Sequence, residues 1–131
     1  MYNYSALNQY QSVGIQSKVS ASSPHSLVAM LLDGVLEKLA KATGFIERGA
    51  TAEQGQAISS TIRIIDSLRA SLDMAKGGEI ASGLASLYDY MERRLVEANI
   101  NSDAKIIEEV VSLIGQIKSG WDAIPDNLRG A

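Results

Sequence analysis

The chain has 131 residues and carries 15 acidic against 12 basic side chains, a formal charge of -3 with no long run of either sign. Such a length suits one domain, and the missing basic stripe argues against nucleic-acid binding, which depends on clustered Lys and Arg. With no cysteine there is neither a disulfide framework nor a thiolate metal site.

Hydrophobic residues make up 46% of the chain, enough for one real core. Aromatic residues are scarce, and Tyr2, Tyr4 and Tyr10 all precede residue 11. The core must therefore be aliphatic, which suits helices. The first eighteen residues lack both a basic start and an apolar run, so they do not read as a signal peptide. No stretch approaches the ~18 apolar residues of a membrane span. The expectation is a cytoplasmic, soluble protein with no direct membrane insertion.

Residues 1–22 are rich in Ser, Gln, Asn and Tyr, with Leu7, Val13, Ile15 and Val19 as sparse apolar positions. They read as a flexible N-terminal arm, loosely held or holding a short extra helix. A helical bundle is expected over 23–124, and a frayed tail over 125–131. The first helix opens with Ser22 or Ser23 as cap and Pro24 at the first helical position, where its missing N–H costs nothing. Leu27, Leu31 and Val35 share a face that Val28, Leu32, Leu36 and Leu39 widen, and Gly49 ends the run.

A second helix is expected from near Ala52, with its stripe at Ile58, Ile62, Ile65, Leu68 and Leu72. It runs out at Lys76-Gly77-Gly78. The third stripe is Ile80, Leu84, Leu87, Met91, Leu95 and Ala98, followed by a polar break over Asn99 to Asp103. Ser102 or Asp103 can cap a fourth helix, whose stripe passes through Val110 and Ile117 to Trp121 before Pro125 stops it. Short links make antiparallel neighbours. The fold class is therefore all-α, an antiparallel four-helix bundle with a mobile N-terminal arm.

The first helix is apolar at 27, 28, 30, 31, 32, 35, 36 and 39. That exceeds the stripe of a little over ~100° that a core-facing helix needs. Either this helix is central in the bundle, or a partner covers the surplus. Tyr88 and Tyr90 stand two apart and cannot share a helix face, so one is expected in the core and one toward a partner.

Chemistry finds little footing. A phosphorelay role for His25, the single histidine, requires an exposed mid-helix position. It sits instead in the first turn and reads as a surface or helix-end residue. A di-metal carboxylate bundle would need inward Glu-x-x-His motifs, which are absent, so no metal and no cofactor are expected. Glu92, Glu97, Glu108 and Glu109 read as a solvated face, and Arg93–Glu97 as an i,i+4 pair. Lys76-Gly77-Gly78-Glu79 lacks the spacing of a phosphate loop and reads as a helix-to-helix turn. No nucleophile–base pair stands out, so the chain is not expected to be an enzyme.

A family pattern does stand out. It runs through Ser23-Pro24-His25-Ser26-Leu27, Met30-Leu31-Leu32-Asp33-Gly34, Ile64-Ile65-Asp66-Ser67-Leu68 and Ser71-Leu72-Asp73. It continues through Gly77-Gly78-Glu79-Ile80-Ala81, Leu87-Tyr88-Asp89-Tyr90-Met91 and Arg93-Arg94-Leu95. In order and spacing, from Tyr10 to Trp121, these resemble the FliS flagellar secretion chaperones.

The resemblance implies a bundle that binds the disordered C-terminal segment of flagellin, which becomes helical on apolar grooves. By the same resemblance, Ile15, Leu27, Met30, Leu31, Leu84, Leu87, Tyr88, Tyr90 and Met91 are expected at the client interface. Leu7 and Tyr10 match arm positions implied to contact the cytoplasmic domain of the export gate, with Leu7 replacing an Ile. Gly83 stands where many relatives carry Asn, and Asp33 and Arg94 are expected to be structural ion-pair partners, with a grip on the client backbone as the alternative. A further expectation is that residues 1–18 fold over a client groove when flagellin is absent. The alternatives are a self-associating helical adaptor, with a homodimer as its signature, and a phosphotransfer bundle using His25.

Overall fold

The computed structural model describes residues 23–125 and places four α-helices there: α1 Pro24–Glu47, α2 Thr51–Ala70, α3 Met74–Asn101 and α4 Ala104–Asp122. No strand occurs among the described residues. Residues 1–22 and 126–131, with Leu7, Tyr10 and Ile15 among them, lie outside the described residues. Links of two or three residues force each helix to reverse on the one before. Consecutive helices pack together and α4 closes back on α1, the expected antiparallel four-helix bundle.

The helix ends follow local chemistry. Ser23 accepts a hydrogen bond from the Ser26 N–H at 3.2 Å, and Pro24 follows at the first helical position. At the other end of α1, Gly49 takes φ +70. Its N–H donates to the Ile46 carbonyl, and the Ala50 N–H donates to that of Phe45. This is a Schellman closure, which satisfies carbonyls that the helix leaves open. Asp73 caps α3 and Asp103 caps α4 through their carboxylates.

Two boundaries differ from expectation. The second helix stops at Ala70 rather than running on to Lys76, because Ser71 turns its hydroxyl back to the Leu68 carbonyl and Asp73 starts a new helix. The third helix therefore begins at Met74 and bends at Gly78, whose φ +52, ψ -128 is non-helical. Both glycines are required there: a side chain at Gly78 would be strained, and a Cβ on Gly77 would stand 2.5 Å from that of Ala81. The break after α3 shrinks to Ser102, in the left-handed region, and Asp103.

The core is aliphatic. Leu31, Leu32, Val35 and Leu39 of α1 meet Ile58, Ile64, Ile65 and Leu68 of α2, Met91 and Leu95 of α3, and Ile107, Val110 and Ile114 of α4. Most of the wide apolar face of α1 is thus core, because α1 packs on both α2 and α4. Burying each such side chain contributes about 1.5–3 kcal/mol. Val28, Met30 and Leu36 remain half-buried on its flanks.

One buried polar residue ties the far end together. Gln54, 1% exposed, donates to the Asn99 carbonyl at 3.1 Å and to its side-chain oxygen at 2.9 Å. It also accepts from the Ser102 hydroxyl at 3.1 Å. The start of α2 is thereby pinned to the α3–α4 turn, with the amide of Gln54 satisfied rather than stranded.

Candidate functional site

At the opposite end, the four helices do not close on one another completely. The start of α1, the end of α2, the bent start of α3 and the end of α4 surround an apolar groove of about 530 Å³. Its floor is Leu32, Leu68, Ala81 and Tyr88, all at most 5% exposed. Val28, Leu72, Leu84, Ile117 and Trp121 form half-buried walls, and Ile80 stands on the rim at 77% exposure. Ser71, Asp73 and Lys76 are the polar edge. The groove exists because α3 bends at Gly78, so its first turn stands off from the bundle.

A clasp beside the groove holds α1 to α4. The rings of His25 and Trp121 stack at 4.7 Å between centroids and 8° between planes. The Trp121 indole N–H donates to the His25 carbonyl at 3.0 Å, and His25 Nε2 pairs with the Trp121 carbonyl at the same distance. A carbonyl only accepts, so Nε2 carries the proton in this pair. Of the two expected settings, surface or helix end, the second is the one found: His25 is buried at 8% exposure in the first turn of α1 and locks a helix start to a helix end. That leaves it no exposed face for phosphotransfer.

Three of the four acidic residues read as a solvated face, Glu92, Glu97 and Glu109, have partners. Glu109 accepts from Tyr90 at 2.7 Å and from Arg94 at 2.7 Å, which seals the α3–α4 seam. Arg94 first, and Tyr90 second, hold the Glu109 carboxyl below its ordinary value. Glu92 sits on the α2–α3 seam facing Arg69. Arg93 pairs with Asp89 instead of Glu97, and Glu97 is taken by Arg94. Asp33 pairs with Lys118 on α4 at 3.4 Å, so both Asp33 and Arg94 join helices.

The expected interface residues divide three ways. Leu84 and Tyr88 line the groove. Met30 and Leu87 are half-buried beside the core. Leu27 is 5% exposed, while Leu31 and Met91 are fully enclosed and serve the core, out of reach of anything on the surface. The two tyrosines part company as helix geometry requires: Tyr88 is 3% exposed, and Tyr90 is half-buried on the α3–α4 seam. Burial pushes the Tyr88 hydroxyl up to about 12, so it stays protonated and neutral in the groove floor.

Val28, Leu72, Ile80, Ile117 and Trp121 line the groove but read as plain core stripe in the sequence. The available signal was the Gly77-Gly78 pair, which marks where one helix end stands away from its neighbours. Among the described residues, no group of three His, Asp or Glu side chains could hold a metal ion, and no helix is long and apolar enough to cross a membrane.

Comparison with known proteins agrees with this geometry. The family model described as flagellar protein FliS matches residues 6–128. The flagellar secretion chaperone FliSB of Pseudomonas aeruginosa is 47% identical over 124 residues, covering 95% of this chain and 98% of its own length. The flagellar secretion chaperone FliS of Salmonella typhimurium is 46% identical, with 95% and 93% covered. That of Vibrio cholerae is 38% identical, with 92% and 88% covered. A match spanning nearly the whole bundle, at such identity, leaves one assignment: the chain belongs to the FliS family of flagellar secretion chaperones.

Proposed function

We propose that this protein is a cytoplasmic export chaperone whose groove receives an amphipathic segment from the disordered C-terminal region of flagellin. The observation that carries the proposal is an open apolar groove, built by all four helices, in a chain of this family. A helix laid into such a groove is read through apolar anchors spaced three and four residues apart. Ile80, Leu84 and the bent first turn of α3 supply one wall, and Val28 with Trp121 the other. Covering a terminal segment of flagellin keeps subunits from polymerising before export. Ordering a disordered client typically consumes several kcal/mol, so contacts beyond the groove, at Met30 and Leu87, belong to the same interface.

The arm has two tasks in this proposal. Leu7 and Tyr10 contact the cytoplasmic domain of the export gate. With Ile15, they also cover the groove while no client is bound. In support, the arm joins the bundle at Ser23, shortly before Val28 on the groove wall. Deleting residues 1–18 is expected to raise hydrophobic-dye binding by the free protein; unchanged dye binding would remove this second task.

Size-exclusion chromatography with light scattering tests the main proposal, using flagellin with and without its last ~40 residues, a length that spans several short helices at ~1.5 Å per residue. A one-to-one complex that vanishes on truncation is expected. No complex between intact, folded partners would overturn it. A homodimer in place of the complex would favour self-association, to which exposed Val96 and Ile100 on the outer face of α3 also lend themselves.

A further inference from the structure

The seam between α2 and α3 carries a charge arrangement that neither the groove nor the core requires. Arg69 on α2 reaches three carboxylates: Asp66 at 2.6 Å, Asp89 at 3.4 Å and Glu92 at 3.5 Å. Arg93 engages the other oxygen of Asp89 from the solvent side. Glu92 is the most enclosed of the three acids, its side chain 17% exposed against 41% for Asp66 and 52% for Asp89. Its Oε2 is buried and has no hydrogen-bond partner, although Arg69 lies in its direction. An ionised oxygen in that position is costly, because Arg69 at 3.5 Å attracts it without a hydrogen bond and so replaces the lost water only in part.

A single proton removes the difficulty. A protonated Glu92 gains an O–H donor, and Asp66 is within hydrogen-bonding reach to accept it. Arg69 then neutralises the one remaining charge of the pair.

We propose that Glu92 holds a proton and donates it in a hydrogen bond to Asp66 across the α2–α3 seam, and that losing it loosens the wall of the apolar groove. The link to the groove is one of position. Leu68 lies between Asp66 and Arg69 on α2, Tyr88 directly precedes Asp89 on α3, and both line the groove floor. Deprotonation of Glu92 adds one negative charge, so that three ionised carboxylates, Asp66, Asp89 and Glu92, crowd around Arg69, and the seam beside Leu68 and Tyr88 yields to their repulsion.

The groups acting on Glu92 are Asp66 and Arg69 from α2 and Asp89 from its own helix. From α4, the other helix packed on α3, Glu109 is committed to Tyr90 and Arg94 on nearly the opposite face of α3. Burial first, and Asp66 second, push the Glu92 carboxyl up to about 7. Because the folded value lies above the ordinary one of 4.5, the stabilisation is complete below the ordinary value. It is lost as pH rises through about 7. This latch depends on the seam alone and holds whatever the groove binds.

The test uses the full chain without any client. Carbon-detected NMR of side-chain carboxyls would follow Glu92 through a pH titration, and thermal melting would be compared for wild type, Glu92→Gln and Asp66→Asn between about pH 5 and pH 8. Glu92 is expected to titrate near neutrality. Relative to Glu92→Gln, whose amide imitates the protonated acid, the wild-type melting temperature is expected to fall by about 3–6 °C over that interval. Hydrophobic-dye binding by the wild type is expected to rise with pH, while that of Glu92→Gln stays level. Titration of Glu92 in the ordinary carboxylate range, or parallel melting profiles for wild type and Glu92→Gln, would overturn the proposal. Should either variant fail to fold, the wild-type titration decides the question by itself.

Discussion

Replacing His25 by Ala removes one half of the clasp between the start of α1 and the end of α4. The loss can be sized from its parts. The hydrogen bond from Nε2 to the Trp121 carbonyl, at 3.0 Å, contributes about 1 kcal/mol. The stacked ring pair, at 4.7 Å, adds about 0.5–1.5 kcal/mol. The indole N–H keeps its bond to the His25 backbone carbonyl, so that contribution survives. Together the substitution costs about 2 kcal/mol, and with a urea slope of about 2 kcal/mol/M the unfolding midpoint falls by about 1 M.

Trp121 is the single tryptophan, so its fluorescence reports the transition and the clasp at once. Trp121→Phe keeps a ring but loses the indole donor and the fluorophore, so its unfolding and that of the double variant are followed by circular dichroism, and it should cost about 1 kcal/mol alone. The double variant should fall short of the sum by about 1 kcal/mol, because the two residues act on each other. A midpoint for His25→Ala within about 0.2 M of wild type would refute the clasp as a stabilising element. Well below the melting temperature, His25→Ala should leave client stoichiometry unchanged, since His25 does not line the groove. Loss of the complex there would show that His25 itself meets the client.

Ile80→Asp should leave stability nearly untouched, because Ile80 is 77% exposed, yet abolish the flagellin complex; chromatography alongside a melting curve checks both halves. Leu31→Ala should behave in the opposite sense, costing about 2–5 kcal/mol in urea unfolding, since Leu31 is fully enclosed. Gln54→Leu strips the α3–α4 turn of three hydrogen bonds and should cost about 2–3 kcal/mol, with amide exchange accelerated at Ser102 and Asp103. Gly83→Ala should stabilise by about 0.5–1 kcal/mol, because a Cβ there meets nothing within 4 Å in mid-helix, whereas Gly78→Ala should destabilise, because its φ is +52. Thermal melts of the two glycine variants would separate them by sign.

Helix number and most caps were legible in the chain itself. Spacing of three and four residues marks four stripes, and much of each became core: Leu31, Ile65, Leu95 and Val110 are enclosed, while Ile80 at the start of the third stripe is 77% exposed. Ser23, Pro24, Gly49 and Asp103 act through local backbone chemistry, which needs no tertiary partner to be foreseen. The turn between the second and third helices was the exception. There the stripe through Leu72 reads as continued helix, while the Ser71 hydroxyl and the Asp73 carboxylate compete for the backbone and end it early.

The candidate site was only half legible. A stripe records that a residue is apolar and on the inner face, but not whether a neighbouring helix reaches far enough to cover it. Leu84 and Met91 share one stripe on α3, yet the first lines the groove and the second is sealed. The difference is the bend at Gly78 and the height along the bundle at which α1, α2 and α4 end. The charged residues show the same division. Their placement on an outer face follows from the pattern, whereas partners fifteen to ninety-six positions away, such as Arg94 for Glu109 and Trp121 for His25, exist only once the helices pack. Local propensity and periodicity thus determined the elements of this chain, and the order of its motifs carried the family resemblance. The open groove, the His25–Trp121 clasp and the carboxylate pair on the α2–α3 seam were decided by tertiary structure, because each depends on atoms that different helices bring together.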